Sequence, residues 1–161
     1  MAIEAVKAYL ERFGMADRVR EFDVSSATVE LAAQALGCAS CRIAKSLSFA
    51  GPEGPILVVA AGDARVDNPK YKARFGVKAR MLSPADTEAL IGHAVGGVCP
   101  FAVQEGVRVY LDASLRRFDT VFPACGSANS AIELRLDELE RLSGAAGWVD
   151  VCKGWEEERA E

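Results

Sequence analysis

Hydrophobic residues recur along the chain with two periods, one typical of helices and one typical of strands. Helices are predicted where apolar residues repeat every three or four positions and where cap residues, proline or glycine mark the ends. These signals place helices at 3–13 before Gly14, 28–36 before Gly37, 68–75 before Gly76, 83–91 before Gly92, and from 137–140 onward. The predicted N-cap residues are Thr28, Asn68 and Ser83.

Strands are predicted where apolar and polar residues alternate, or where short apolar runs lie between turn residues. Such segments lie at 42–50, 56–61, 77–82, 107–111, 131–136 and 148–152. The turn sequence 51–55 joins the first two segments into a hairpin. Because strands and helices are interleaved irregularly, we expect a single α/β domain with a mixed sheet rather than a doubly wound parallel sheet.

Length and composition are those of one cytoplasmic domain. The chain has 161 residues, and we expect residues 1–155 to form the domain and 156–161 to be an acidic, disordered tail. No apolar run approaches the length of a membrane span, and we see no export signal. Five cysteines without such a signal indicate reduced thiols in the cytoplasm.

Charge is distributed unevenly along the chain. The net charge of −4 argues against tight nonspecific binding to nucleic acid. The segment 65–80, however, carries six cations against the single anion Asp67. This segment is either a local basic face that contacts phosphates or an ordinary solvated helix face.

Lys45 falls in the first predicted strand, in register with the apolar residues Ile43, Leu47 and Phe49. A charged residue is out of place on a core-facing side of a strand. Either the other face of the strand is buried and the lysine stem extends to solvent, or Lys45 points into a cleft where its charge has a partner. The pattern leaves both interpretations open.

The loop HAVGGVCPF at 93–101 joins two adjacent glycines to a proline. Glycines let the backbone approach a ligand and expose N–H groups that bind a carbonyl oxygen or an anion, although a tight structural turn has the same composition. His93 is the only histidine of the chain and is either a base beside the loop or a capping residue. Cys99 is either a nucleophile or a small buried thiol.

Two other short motifs carry polar or thiol groups. The segment GSANS at 126–130 can hydrogen-bond a ligand or form an ordinary turn. Cys38 and Cys41 form a C-x-x-C motif without a second cysteine pair or paired histidines, so we expect neither a metal nor another cofactor. The pair also leads from a helix end into a strand, unlike a thioredoxin motif, and is interpreted as structural.

Four motifs, taken in order, resemble the YbaK and prolyl-tRNA-synthetase-associated editing domain family. Each is weak alone, but their order and separation match the family from about residue 28 to residue 142. The motifs are RIAKSL at 42–47, GGVCPF at 96–101, VYLD at 109–112, and Gly126 ahead of AIEL at 131–134.

The resemblance implies a freestanding hydrolase that deacylates mischarged tRNA, chiefly tRNA for proline. It also implies a mixed, partly barrel-like β-sheet flanked by helices. The partners expected are the acceptor end of aminoacyl-tRNA and prolyl-tRNA synthetase, with the protein itself a monomer or a homodimer.

The resemblance assigns roles to Lys45 and the glycine loop, and the residue pattern adds candidate contacts. The family lysine falls on Lys45, and the remaining catalytic positions form the Gly-x-x-x-Pro loop: Gly96, Gly97, Val98, Cys99 and Pro100. Substrate contacts are expected from His93, Phe101, Asp112, Gly126, Ser127 and Asn129. From the basic segment, tRNA contacts are expected from Lys70, Lys72, Arg74 and Lys78.

The chain departs from the family at three positions. Ala102 stands where family members often have Gly, and Ala124 and Ala131 stand where the cysteinyl-specific branch has a Ser and an Asp. We therefore expect Ala, Ser, Thr or 2-aminobutyrate to be edited ahead of Cys. Because no convincing protein base is evident, two other classes stay open: a non-catalytic module that binds aminoacyl-tRNA or a nucleotide, and a thiol enzyme that acts through Cys99.

Overall fold

The computed structural model describes residues 2–155, and the predicted acidic tail 156–161 lies outside the described residues. This range contains α1 (Ala2–Glu11), α2 (Val29–Leu36), α3 (Asn68–Phe75), α4 (Pro84–Ile91) and α5 (Leu136–Ser143). Short 3-10 helices lie at Ala16–Arg18, Ser40–Arg42 and Ala113–Arg117. Within residues 2–155 no helix combines the length and the apolar composition that crossing a bilayer requires.

The helix ends follow the predicted cap chemistry with two exceptions. Thr28 Oγ1 accepts a hydrogen bond from the Leu31 N–H, and three of the four predicted glycine stops, Gly37, Gly76 and Gly92, are left-handed C-caps. The predicted stop at Gly14 is wrong, because α1 ends at Glu11. The prediction that Asn68 caps α3 is wrong. Asp67 is the cap, because its carboxylate accepts the Lys70 N–H at 3.1 Å, and a negative charge there also complements the helix dipole.

The main sheet is mixed, as predicted, and curls into a half-barrel flanked by the helices. Its six strands run in the order β8-β6-β2-β3-β5-β9. The strands are β2 (Ile43–Gly51), β3 (Gly54–Ala61), β5 (Arg108–Asp112), β6 (Thr120–Pro123), β8 (Leu134–Arg135) and β9 (Gly147–Val149). Two small sheets pair β1 (Arg20–Glu21) with β7 (Ser130–Ala131) and β4 (Arg65–Val66) with β10 (Cys152–Lys153).

Strand directions place several loops at one end of the sheet. β2 and β3 form the predicted antiparallel hairpin, whereas β3, β5 and β9 are mutually parallel and β2 is parallel to β6. The carboxyl ends of β3, β5 and β9 therefore lie at the same end as the beginning of β2. The core is built on β3, whose residues from Leu57 to Ala61 are fully buried.

Three predicted strands are corrected by the structure. The segment 77–82 is not a strand, because only Met81 forms a bridge, to Phe49, and the chain then enters the cap of α4. The segment 131–136 is divided, because Ala131 pairs with β1, Leu134 pairs with β6, and Leu136 already begins α5.

The segment 148–152 is also divided between two sheets. Trp148 pairs with β5, whereas Cys152 pairs with β4, because the intervening Val151 N–H is bound by the Asp112 carboxylate at 2.9 Å. The strand Thr120–Pro123 was not predicted from the sequence. It is four residues long and ends in a proline, which is a turn signal rather than a strand signal.

Candidate functional site

A cleft of about 390 Å³ lies along the outer edge of β2, and we call it the edge cleft. On this side, β2 pairs with β6 only at Ile43 and Ala44. Farther along, Ser48 and Ala50 bind the backbone of Leu82 and Arg80. Between these contacts the strand edge is uncovered, and the cleft fills the gap. Its other walls include 26–29, Met81, Leu82, Pro84, Val95, Gly96, Val98, Ala124, Ser130 and Ala131.

The backbone of Ser46 is directed into this cleft. Alternate residues of an antiparallel strand direct their N–H and C=O groups to the same edge. The Ser48 carbonyl and the Ala50 N–H are bound at the outer edge, so the N–H and C=O of Ser46 also face outward. Ser46 lies in the uncovered stretch and lines the cleft, so these groups are available to a ligand.

Lys45 lines the edge cleft, and among the described lining residues its side chain is the only ionisable one. Its ammonium donates hydrogen bonds to the carbonyl oxygens of Gly62, at 3.2 Å, and Ala64. Because an ammonium has three donors, one N–H stays available for a ligand. Burial lowers the pKa of Lys45, and the negative charge of Asp63 opposes that shift.

The glycine loop offers two backbone donors to the edge cleft. Gly96 and Val98 line it, and within residues 2–155 their N–H groups donate no backbone hydrogen bond. The Gly97 N–H, in contrast, is bound to the Ala94 carbonyl at 3.0 Å, and Pro100 has no N–H. Of the predicted catalytic loop residues, Gly96 and Val98 are therefore the ones placed to bind a carbonyl oxygen of a ligand.

Gly97 holds the loop against the second predicted motif. A Cβ atom at this position would lie 2.6 Å from the backbone nitrogen of Ser127. Gly126, which has a φ of +92°, packs in the same way against the Ala2 carbonyl and Val6. The two glycine motifs are thus in direct contact, and neither Gly97 nor Gly126 lines the cleft.

Several predicted site residues lie in the protein interior and do not line the edge cleft. His93 is 1% exposed, its Nε2–H donates to the Phe101 carbonyl at 2.8 Å, and burial lowers its pKa. Cys99 and Phe101 are fully buried, as is Pro100, and none of them lines the edge cleft. Burial raises the pKa of the Cys99 thiol to about 12, so it is protonated at neutral pH.

Asp112 also has a structural position. It is 0% exposed, and its two carboxylate oxygens accept the N–H groups of Ser114 and Val151, both at 2.9 Å. This carboxylate joins the end of β5 to the segment before β10. Asp112 does not line the edge cleft, and its contact with a substrate stays a prediction.

The 126–130 loop reaches the cleft through a residue that the sequence did not single out. Ser127 and Asn129 hydrogen-bond to each other and do not line the cleft, whereas Ser130 does. Ser127 Oγ lies 2.7 Å from Ser130 Oγ and Asn129 Nδ2 donates to the Phe22 carbonyl. They support the wall rather than form it, and their contact with a substrate stays a prediction.

Two hydroxyl groups in the cleft have no hydrogen-bond partner among the described residues. Ser26 is 6% exposed, and its Oγ is unpaired, as is the Oγ of Ser46. Burying an unpaired hydroxyl costs about 1–3 kcal/mol, so both positions favour a ligand that supplies a partner. Ser26 lies in a short turn before α2, where no sequence pattern indicates a ligand contact. Sequence reasoning therefore missed this residue.

The predicted tRNA-binding cations are dispersed. Lys70 and Arg74 line a separate depression, which shares no lining residue with the edge cleft. Lys72 and Lys78 are exposed. Among the described residues, no group of three or more His, Cys, Asp or Glu side chains is arranged to hold a metal ion.

This geometry accompanies a match to a known family. Residues 23–142 match the model of the aminoacyl-tRNA editing domain. The chain belongs to this family. YwhH, an uncharacterized protein of Bacillus subtilis strain 168, is 54% identical over 158 residues, which cover 97% of this chain and 100% of the relative. The proline–tRNA ligase of Limosilactobacillus fermentum is 32% identical over 95 residues, which cover 55% of this chain and 17% of the ligase.

Solved structures share the fold over almost the whole chain. A candidate trans-editing enzyme for prolyl-tRNA synthetase superposes with a TM-score of 0.85 at 32% identity, over 95% of this chain and 98% of the other. The hypothetical protein APE2540 superposes with a TM-score of 0.78 at 26% identity, over 90% and 99% of the two chains. The domain is therefore a YbaK-like editing domain with an aminoacyl-tRNA editing role.

Proposed function

We propose that this protein hydrolyses the ester of a small non-cognate amino acid on tRNA, with tRNA for proline as the main substrate. The observation that carries the proposal is the edge cleft, which is lined by Lys45 together with Gly96 and Val98, whose N–H groups donate no backbone hydrogen bond within residues 2–155. The similarity to a prolyl-tRNA trans-editing candidate and to part of a proline–tRNA ligase supports the choice of tRNA.

The glycine loop acts on the carbonyl carbon of the ester. Attack by water places negative charge on the carbonyl oxygen, and the N–H groups of Gly96 and Val98 stabilise that charge. Their position is fixed before the reaction by the contact between Gly97 and Ser127. Removing one donor of this kind typically costs about 2.7–4 kcal/mol of transition-state stabilisation.

Lys45 positions the tRNA end. Two of its donors hold the carbonyls of Gly62 and Ala64, which fixes the ammonium, and the third binds a ribose or phosphate oxygen of the terminal nucleotide. The water is oriented by a hydroxyl or the amine of the substrate, because no carboxylate or imidazole of the described residues lines the cleft. His93 is buried and turned away, so it is not the base.

The wall of the cleft selects small side chains. Ala124 and Ala131 line it and contribute only methyl groups. Apolar contacts discriminate a single methylene by about 1–3 kcal/mol, which suits the exclusion of larger amino acids by size. The unpaired hydroxyls of Ser26 and Ser46 supply hydrogen bonds to the aminoacyl group. We rank Ala, Ser, Thr and 2-aminobutyrate ahead of Cys.

The test is a panel of tRNA for proline charged with Ala, Ser, Thr, 2-aminobutyrate, Cys and Pro. Wild-type protein should hydrolyse one or more of the first four esters faster than the Cys and Pro esters. Lys45→Ala should slow that reaction, whereas Arg108→Gln, which removes an exposed cation paired with Glu53, should not. If folded protein hydrolyses none of the esters in the panel, the proposal is contradicted.

A non-catalytic binding module is the second candidate. The observation in its favour is that Lys45 is the only ionisable side chain that lines the described cleft, so no protein group takes the proton from water. A binding module would protect the ester or leave its half-life unchanged. The same panel separates the two candidates, because only an enzyme shortens that half-life.

A further inference from the structure

We propose that a second depression, lined by Arg74, Arg116 and Trp148, binds backbone phosphates of the tRNA acceptor stem. This inference rests on the proposed function, since it concerns how the same substrate is held. The depression has a volume of about 530 Å³, and we call it the cationic depression. Its remaining lining residues are Lys70, Ala73, Ala113, Val149 and Asp150.

The two arginines are held by rings and not by carboxylates. The Arg116 guanidinium lies 4.1 Å from the centre of the Trp148 ring. The Arg74 guanidinium lies 5.1 Å from the Phe75 ring and 5.3 Å from the Tyr110 ring. In residues 2–155 neither arginine forms an ion pair or a side-chain hydrogen bond. Contact with the rings therefore holds both guanidinium groups while their N–H groups stay available for an anion.

The carboxylate in the depression does not neutralise these arginines. Asp150 is paired with Lys70, at 3.3 Å between Oδ1 and Nζ. The Trp148 indole N–H donates to Glu140 at 3.1 Å, which fixes the ring that Arg116 covers. Two uncompensated cations on a chain with a net charge of −4 mark a local site for a polyanion.

The position of the depression suits a substrate whose ester lies in the edge cleft. Ala113 follows β5 and Val149 ends β9, so the depression lies at the carboxyl end of the parallel strands. The Lys45 ammonium lies at this same end, because it binds carbonyls that follow β3. Strands β2 and β9 are separated by β3 and β5, hence by about 14 Å at the usual strand spacing. A single-stranded 3′ end can cover this distance between the ester and the first duplex phosphates.

This placement differs from the one expected from the basic segment alone. Arg116 lies outside residues 65–80, and no charge run in the sequence marks it. Lys72 and Lys78 do not line the depression. Phosphate contacts of this kind position the stem without reading its sequence.

The test measures binding of uncharged tRNA across a series of salt concentrations, so it does not depend on hydrolysis. Arg74→Gln and Arg116→Gln should each weaken binding and reduce the slope of log affinity against log salt by about 1. Arg74→Lys and Arg116→Lys should retain the slope, because the charge stays. Arg108→Gln is the matched control, an exposed cation at the other end of β5. Unchanged affinity and slope in both Gln variants would overturn the inference.

Kinetics on two substrates separate this inference from the proposed function. With aminoacyl-tRNA, the double Gln variant should raise KM at least tenfold and leave kcat nearly unchanged. With the same amino acid on adenosine alone, its rate should equal that of wild type. If wild type hydrolyses both substrates and the double Gln variant has the same KM and kcat as wild type on aminoacyl-tRNA, the proposed phosphate site is wrong and the proposed function stands. If wild type hydrolyses neither, the proposed function fails, and the binding series alone decides on the depression.

Discussion

At the scale of single residues, the account depends on Lys45 in its charged form. Burial lowers the pKa of this lysine, so the ammonium loses its proton at a lower pH than the ordinary value of about 10.4. Below that lowered pKa the cation is present and binds the substrate oxygen. As the pH rises through it, the cation is lost and the rate should fall.

We therefore predict an alkaline limb in the single-turnover rate, after subtraction of spontaneous ester hydrolysis. Lys45→Arg should lack this limb, because a guanidinium stays protonated. Lys45→Ala should lower the rate more than about tenfold, equivalent to more than about 1.4 kcal/mol. A Lys45→Ala rate equal to that of wild type would show that the lysine has no part in the reaction.

Cys99 is predicted not to be a nucleophile. Its thiol is fully buried, does not line the edge cleft, and has a pKa raised to about 12 by burial. Cys99→Ala should therefore keep a substantial part of the deacylation rate, with losses that follow from packing alone. Rapid quenching and mass spectrometry provide the check. An aminoacyl thioester trapped on wild type, together with complete loss of activity in Cys99→Ala, would establish the thiol mechanism instead.

At the scale of elements, the contact between the two glycine loops is predicted to position the backbone donors. A methyl group on Gly97 would lie 2.6 Å from the Ser127 nitrogen, so the loops must move apart. Gly97→Ala should lower the free energy of unfolding by about 1–3 kcal/mol. It should also lower the turnover number, because Gly96 and Val98 move with the loop.

Gly147→Ala is the matched control for this prediction, since no atom lies within 4 Å of the Cβ it would add. Chemical denaturation and single-turnover kinetics measure the two effects. Equal activity of the Gly97→Ala and Gly147→Ala proteins would contradict the proposed role of the loop contact.

The same loop ends in a residue whose backbone favours glycine. Ala102 has a φ of +53°, the only positive φ of a non-glycine residue in the described chain. A left-handed conformation costs a residue with a side chain roughly 1–2 kcal/mol. Ala102→Gly should therefore raise the free energy of unfolding by up to about 1 kcal/mol in a denaturant titration. Ala85→Gly, on an exposed turn of α4, should lower it, and a loss of stability in Ala102→Gly would contradict the interpretation.

Helices and strands could be predicted where the residues that mark their ends lie close to them in the sequence. Thr28 with Gly37 and Ser83 with Gly92 are local cap pairs, and both helices have the predicted ends. The hairpin of β2 and β3 has a local turn, and it also formed. Strand Thr120–Pro123 could not be predicted, because its pairing with Ile43 and Ala44 joins residues far apart in the sequence.

The candidate site shows the same limit. Lys45 and the Gly96 loop could be recognised as motifs in the sequence. Ser26 and the Ser46 backbone could not, because their significance depends on a strand edge that only the tertiary structure leaves uncovered. The sequence alone could not show that His93 and Asp112 are buried, since polar residues beside a motif can either contact a ligand or serve as buried supports.

At the scale of the whole molecule, an anionic chain has to bind a polyanion through limited cationic regions. Lys45 lies in the edge cleft and the two stacked arginines lie in the cationic depression, and both are at one end of the sheet. We propose that this arrangement holds the acceptor end of tRNA. We keep the single domain 1–155, the partnership with prolyl-tRNA synthetase and the monomeric or homodimeric state as predictions.

The most direct measurement is the number of esters that one protein molecule hydrolyses. Excess tRNA for proline charged with alanine is incubated with wild-type protein, and the free amino acid released is counted against the protein present. We expect each wild-type molecule to hydrolyse several esters, and each Lys45→Ala molecule to hydrolyse few or none in the same time. Release that never exceeds the spontaneous rate, by protein that binds the charged tRNA, would contradict hydrolysis in the edge cleft and establish a binding module.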